Sequence, residues 1–154
     1  MLIGTSLREV QESDLHIFFQ QQLEPEAIRM AAFPPRDRGA FMAHWEKIMA
    51  SAKTTVKTIV FAGRVAGNIV QWEEAGESKV GFWLGKEYWG KGIASAALGQ
   101  FLGQVRKRPL YAHVAKHNVG SLRVLQKSGF VISGESVFSG VDGQPDEEFI
   151  VTLE

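Results

Sequence analysis

The stretch richest in chemical possibility is Leu84-Gly85-Lys86-Glu87-Tyr88-Trp89-Gly90-Lys91-Gly92-Ile93-Ala94, which falls between a strand pattern and a helix pattern. Glycines let a backbone approach a ligand closely, and the first amides of a helix have no partner inside it. A turn of this kind suits a phosphate, with Lys91 as compensating charge. The same glycines also serve a plain strand-to-helix turn, so the loop alone does not decide between the two. Gly85 and Gly90-Lys91 satisfy most of a nucleotide-triphosphatase loop, but Gly92 stands where a Ser or Thr would hold magnesium. No apolar strand pattern ends in the Asp that would supply a second magnesium ligand, and that reading fails. A dinucleotide-binding fold would place its glycine fingerprint after the first parallel strand, whereas here three antiparallel-looking strands come first.

Asn118 and Ser121 open a second candidate stretch. Asn is a favoured helix cap, and a hydroxyl in the first helical turn either caps or reaches a ligand. Glu135, Asp142, Asp146, Glu147 and Glu148 form a third, acidic stretch around a Gly-Val-Asp-Gly-Gln-Pro turn, which either steers a cationic amine or decorates an exposed hairpin. With no cysteine in the chain, a thiol nucleophile, a disulfide and a thiolate metal site are all excluded. Of His16, His44, His113 and His117, only the last two are close in sequence, and they straddle a strand end. No metal site is expected.

The net charge is zero, from 17 Lys and Arg against 17 Asp and Glu, which argues against bulk binding of nucleic acid or an anionic membrane. The charge is uneven along the chain. Residues 79–127 hold nine Lys or Arg and one acid, while residues 128–154 hold six acids and no Lys or Arg. The first stretch can meet an anion and the second a cation, unless the two simply pair.

A length of 154 residues predicts one domain over residues 1–154. The apolar runs are too short to span a membrane, and the N-terminus lacks a basic segment followed by an apolar one, so a cytoplasmic address is expected. Leu2 to Val10 reads as a first strand. Ser13 can cap a helix through Gln22, Pro25 starts a short helical turn, and apolar spacing predicts a helix over 38–51. Thr54 to Phe61 and Ala66 to Trp72 form a hairpin about Gly63-Arg64, with Lys79 to Leu84 as the third strand. Ile93, Ala94, Ala97, Leu98, Phe101, Leu102 and Val105 then make a helical stripe. Leu110 to Val114, Phe130 to Ile132 and Phe149 to Leu153 are strands, with a helix over Asn118 to Lys127. The class is α/β (α+β), with a mixed, mostly antiparallel sheet of six to seven strands and helices on both faces. Trp45, Trp72, Trp83 and Phe33 read as core aromatics, some able to wall a pocket for a cationic amine.

Trp89-Gly90-Lys91-Gly92-Ile93-Ala94, together with Asn118, Ser121 and Lys127-Ser128-Gly129-Phe130 at the proper distance, resembles the GNAT acetyltransferase superfamily, in particular its ribosomal-protein N-terminal acetyltransferase-like branch. Trp89 departs from the Arg or Gln usual at the first position. The resemblance implies acetyl-CoA as co-substrate, lying where the fourth and fifth strands splay. It assigns the pantetheine arm to backbone groups of Phe82 and Leu84, and the pyrophosphate to Trp89, Gly90, Lys91, Gly92, Ile93 and Ala94, with Asn118 touching the cofactor. It also implies direct acetyl transfer to a primary amine, either a peptide or protein N-terminus or a small amine. Many members use a Tyr where this chain has Leu125, so the resemblance leaves Ser121 as proton donor to the leaving thiolate and points to Glu135 as base. Glu73, Glu74 and His113 are rivals for that role. The absent Tyr also fits a non-catalytic CoA-binding sensor or regulatory module, and a homodimer is left open.

Overall fold

Period-two stretches become strands and period-3.6 stretches become helices. β1 (Thr5–Glu9), β2 (Thr55–Phe61), β3 (Arg64–Glu74) and β4 (Glu77–Leu84) form an antiparallel meander. β5 (Leu110–Ala115) joins β4 in parallel, and β7 (Pro145–Leu153) lies between β5 and β6 (Val131–Ser139), antiparallel to both. The computed structural model describes residues 4–154, so Leu2 and Ile3 of the expected first strand lie outside the described residues. The seven-stranded order β1-β2-β3-β4-β5-β7-β6 is the mixed sheet expected.

The turn between β2 and β3 falls at Ala62-Gly63, with φ of 51° and 81°, one residue before the expected position. Two successive positive φ angles make the tight turn whose twist matches that of the flanking strands, and Arg64 is thereby free to pair with Phe61. Gly67 is the glycine the sheet depends on. A Cβ there would stand 2.0 Å from the Trp83 carbonyl oxygen, so only glycine lets β3 approach β4 beside the end of β4.

Helix starts follow their capping chemistry. α1 (Glu12–Gln22) is capped by Gln11 rather than by the expected Ser13. The Gln11 amide donates to Asp14 Oδ2 at 2.9 Å, and Ser13 is left exposed on the first turn. α2 (Pro25–Ala31) starts with Pro25 behind Glu24, whose carboxylate accepts from the Ala27 amide at 2.8 Å. Asp37 caps α3 (Arg38–Ala50) in the same way, accepting from the Ala40 amide at 2.8 Å. α4 (Ile93–Gln104) and α5 (Val119–Lys127) pack their apolar stripes on one face of the sheet, where Ile69, Leu98, Phe101, Leu110 and Val151 are fully buried. On the other face, Phe18 and Phe19 of α1 meet Phe41 and Trp45 of α3. Among the described residues, no helix is long and apolar enough to cross a membrane.

Candidate functional site

β4 and β5 pair only at Ser78 with Leu110 and Lys79 with Tyr111, after which β4 runs on to Leu84 without β5 beside it. The sheet therefore splits in its middle. The Gly85 amide donates to the Ala66 carbonyl at 2.9 Å, so odd-numbered β4 residues bond to β3. By alternation Val80, Phe82 and Leu84 turn their main-chain groups toward the split. A cavity of about 440 Å³ occupies it, lined on one side by Phe82, Trp83 and Leu84 and on the other by Asn118, Ser121 and Val124. Ala27, Met30 and Ala31 of α2 close one end, and Tyr88 to Ser95 border the rest without Lys91.

The glycine loop is shaped for an anion. Gly90 and Gly92 take φ of 73° and 78°, and no side chain caps α4, whose N-cap is Gly92. Among the described residues, the amides of Gly90 to Ser95 find no carbonyl partner, and the first capping bond there is from Ala96 to Gly92. Among the described residues, a Cβ on either glycine would meet no atom beyond its chain neighbours within 4 Å. Trp89 has a structural duty, because its indole N–H donates to the Leu84 carbonyl at 3.2 Å and staples the two ends of the loop together. Tyr88 packs edge-on against Phe61 with ring centroids 6.5 Å apart. Ile93, the first residue of α4, is buried in the core, and Lys91 is exposed.

Asn118 both caps and lines. Its Oδ1 accepts from the Ser121 amide at 3.2 Å while the residue borders the cavity. Ser121 borders the cavity from the first turn of α5, and Leu125, one turn further on, is 2% exposed in the core. Glu135 is not brought to the cavity. Paired with Phe149 on β6, it lies on the sheet face away from α2, with its carboxylate held by the Lys116 ammonium, and 60% of its side chain is exposed. That bond draws the Lys116 pKa upward. Glu73 is also engaged, by Ser78, Gln71 and Lys107, and the Ser78 hydroxyl foremost lowers its pKa. Glu74 is bound to Lys79 at 2.9 Å.

The charge stretches divide once the chain folds. Arg106, Lys107 and Arg108 follow the far end of α4, roughly 18 Å from its N-terminus at 1.5 Å per residue. Lys86 faces Glu24 and Glu26 of the α2 end. The acidic run is strand rather than loop, because β7 begins at Pro145. Asp146 and Glu148 thus point to one face and Glu147 to the other. Phe33 is 49% exposed rather than core, Trp45 is core, Trp83 lines the cavity, and the Trp72 ring lies over Gly81. No group of three His, Asp or Glu able to hold a metal ion occurs among the described residues. The α2 residues are the part of the lining that sequence reasoning missed, because their apolar side chains carry no motif and reach the cavity only by tertiary packing.

A split parallel strand pair feeding an uncapped helix N-terminus defines a site for an elongated ligand with a phosphorylated end. The acetyltransferase (GNAT) domain family matches residues 5–131, and the chain belongs to that family. It is accordingly an acyltransferase, with acetyl-CoA as its donor. Solved structures share the fold at low identity. The spermidine N-acetyltransferase of Vibrio cholerae in complex with CoA and spermine superposes with a TM-score of 0.84 at 16% identity, over 97% of this chain and 95% of that one. The ribosomal-protein-S5-alanine acetyltransferase of Vibrio fischeri does so with 0.78 at 17%, over 99% and 94%. The microcin C7 self-immunity acetyltransferase in complex with acetyl-CoA and AMP gives 0.81 at 16%, over 97% and 92%. No curated protein sequence matches the chain.

Proposed function

We propose that the protein moves the acetyl group of acetyl-CoA directly to a primary amine, a peptide or protein N-terminus first and a small polyamine or drug amine second. The observation that carries this reading is the single cavity joining the split strands, the uncapped turn of α4 and the first turn of α5. In that arrangement the amides of Gly90 to Ala94 hold the pyrophosphate, Lys91 adds charge from the rim, and the main chain of Phe82 and Leu84 runs along the pantetheine arm. Asn118 fixes the first turn of α5, and Ser121 protonates the departing thiolate. The Tyr88-Trp89-Gly90-Lys91-Gly92 loop and the likeness to the S5-alanine acetyltransferase fold support the ribosomal-protein branch. The likeness to a spermine-bound structure supports a small polyamine equally.

Calorimetry with CoA, and with dephospho-CoA as control, should show micromolar-range binding that Lys91→Glu weakens. A thiol-release assay with acetyl-CoA against N-terminal peptides, polyamines and aminoglycosides should then show turnover. No CoA binding at millimolar ligand, or binding without turnover on any amine, refutes the proposal. In the active assay Ser121→Ala should lower kcat more than it changes KM, since an acid acts in the transition state. An unchanged kcat leaves Ser121 as a wall of the cavity.

A further inference from the structure

Direct transfer to an amine needs a group that removes a proton from nitrogen, and the Glu135 carboxylate is held by Lys116 on the face of α4 and α5. The sheet face opposite α4 and α5 offers another. On β5, Leu110, Ala112 and Val114 are buried in the core beneath those helices, so by alternation Tyr111 and His113 project to the other face. The last β4–β5 pair is Lys79 with Tyr111, which places His113 level with Gly81 just where the split begins. Gly81 presents no side chain there, and the Trp72 ring stands 3.5 Å from where its Cβ would be. The Trp72 ring therefore covers Gly81 on the face to which His113 projects, beside the point where the two strands part.

The imidazole is oriented. His113 Nδ1 donates to Glu148 Oε2 at 2.6 Å, and the Ser136 hydroxyl donates to the same oxygen at 2.6 Å. A carboxylate only accepts, so the bond places a proton on Nδ1, and in the neutral ring the lone pair is then on Nε2. The carboxylate is 14% exposed and the imidazole 32% exposed, so the orienting group is the more covered of the two. Ser136, Glu148 and Ile150 share this face with His113 across β7 and β6, and no other side-chain hydrogen bond engages the ring among the described residues.

We propose that His113 is the proton acceptor for the amine, with Glu148 as the residue that positions it and Ser136 as the support of Glu148. This rests on the acetyl-transfer reading above. The nitrogen lone pair forms the N–C bond to the thioester carbonyl carbon, and the nitrogen gives one proton to His113 Nε2. The C–S bond then breaks, and CoA departs as a thiolate that takes a proton from Ser121. Solvent carries the proton from His113 back to Ser121, so the sum is amine plus acetyl-CoA giving amide plus CoA thiol.

The test uses the full chain with acetyl-CoA and two probe amines, spermidine and an alanine-starting peptide. His113→Gln should lower kcat/KM on the better amine by about a hundredfold, the low end of what general base catalysis contributes, with the CoA dissociation constant unchanged. His113→Ala should regain at least tenfold of its lost rate with added imidazole, which a merely structural histidine would not do. Nitrogen NMR of the ring should show Nδ1 protonated and Nε2 bare in the wild type. Glu148→Gln, whose amide can donate to Nδ1, should reverse that tautomer and slow turnover as much as His113→Gln does. Turnover of His113→Gln within threefold of wild type, or a proton on Nε2 in the wild-type protein, overturns the assignment while leaving acetyl transfer intact. Wild-type protein that binds no CoA, or turns over neither probe nor any other amine, overturns acetyl transfer and this assignment together.

Discussion

Gly92→Ala should fold and yet bind CoA at least a hundredfold more weakly. Gly92 is the N-cap of α4 with φ of 78°, and an alanine Cβ there costs about 1–2 kcal/mol of backbone strain. Among the described residues, no atom beyond its own chain neighbours lies within 4 Å of that Cβ, so the methyl meets no packed group. The methyl group instead enters open space at a residue that borders the cavity, within the run Gly90 to Ser95 whose amides have no carbonyl partner among the described residues. A hydrogen bond to a charged group contributes about 1.5–3 kcal/mol, so displacing a phosphate from two of these amides removes about 3–6 kcal/mol. At 1.4 kcal/mol per factor of ten, that is about a hundredfold to ten-thousandfold in affinity. Calorimetry against CoA, beside a melting curve, separates the two effects. A melting temperature near wild type with unweakened CoA binding would mean that the phosphates lie elsewhere. Gly63→Ala is the matched control, because Gly63 has φ of 81°, also with no atom within 4 Å of its Cβ, in the β2–β3 turn, and CoA binding should not notice it.

What could be read ahead of the structure was what local spacing encodes. The meander, the stripe of α4 and the cap at Asn118 follow from alternation, 3.6-residue periodicity and a short polar side chain at a helix start. The sequence pattern predicts a strand over Phe130 to Ile132, whereas β6 runs from Val131 to Ser139. Its later residues, Gly134-Glu135-Ser136, carry no apolar alternation, and it exists because β7 pairs with it along its length. The acids at 146–148 hide β7 in the same way, since a strand held by its neighbours tolerates charge that an isolated pattern would assign to a loop. Site residues divide along the same line. The glycine loop declares itself because its requirement is local backbone shape. The pairing of His113 with Glu148, 35 residues apart, needs the β5–β7 register, which no spacing rule supplies. Glu135 and Glu148 belong to one acidic stretch in the sequence, and the resemblance points to Glu135 alone as base. The one-residue alternation of β6 and β7 sends one to Lys116 and the other to an imidazole.

Asp14→Asn should lower the melting temperature at neutral pH by roughly 6–12 °C, and the deficit should shrink in acid. Asp14 is a buried acid that sequence reading passes over, because an acid in a first helical turn looks like ordinary dipole compensation. In the structure it joins three elements. Arg8 of β1 donates to both its oxygens at 2.7 and 2.9 Å, the Thr58 hydroxyl of β2 donates at 2.7 Å, and the Gln11 amide caps it at 2.9 Å. Burial alone would push its pKa up. The bonds from Arg8, Gln11 and Thr58 outweigh burial and hold it below the usual aspartate value. Removing one partner of such a pair leaves the other partly desolvated and uncompensated. With Arg8 still 35% exposed, the loss is about 2–4 kcal/mol rather than the larger figure for a fully buried pair. For a chain of this length, about 3 kcal/mol corresponds to the stated fall at 2–4 °C per kcal/mol. Because the folded-state pKa is depressed, the stabilisation is complete above the unfolded value of about 3.9 and is lost as pH falls through the folded value beneath it. Wild type should therefore weaken below about pH 4 toward the Asn variant, which has no proton to take up at that position. Melting curves of both proteins from pH 7 to pH 3 decide it. A variant within 2 °C of wild type at pH 7, or a gap that stays constant down to pH 3, would show that Asp14 contributes shape and not charge.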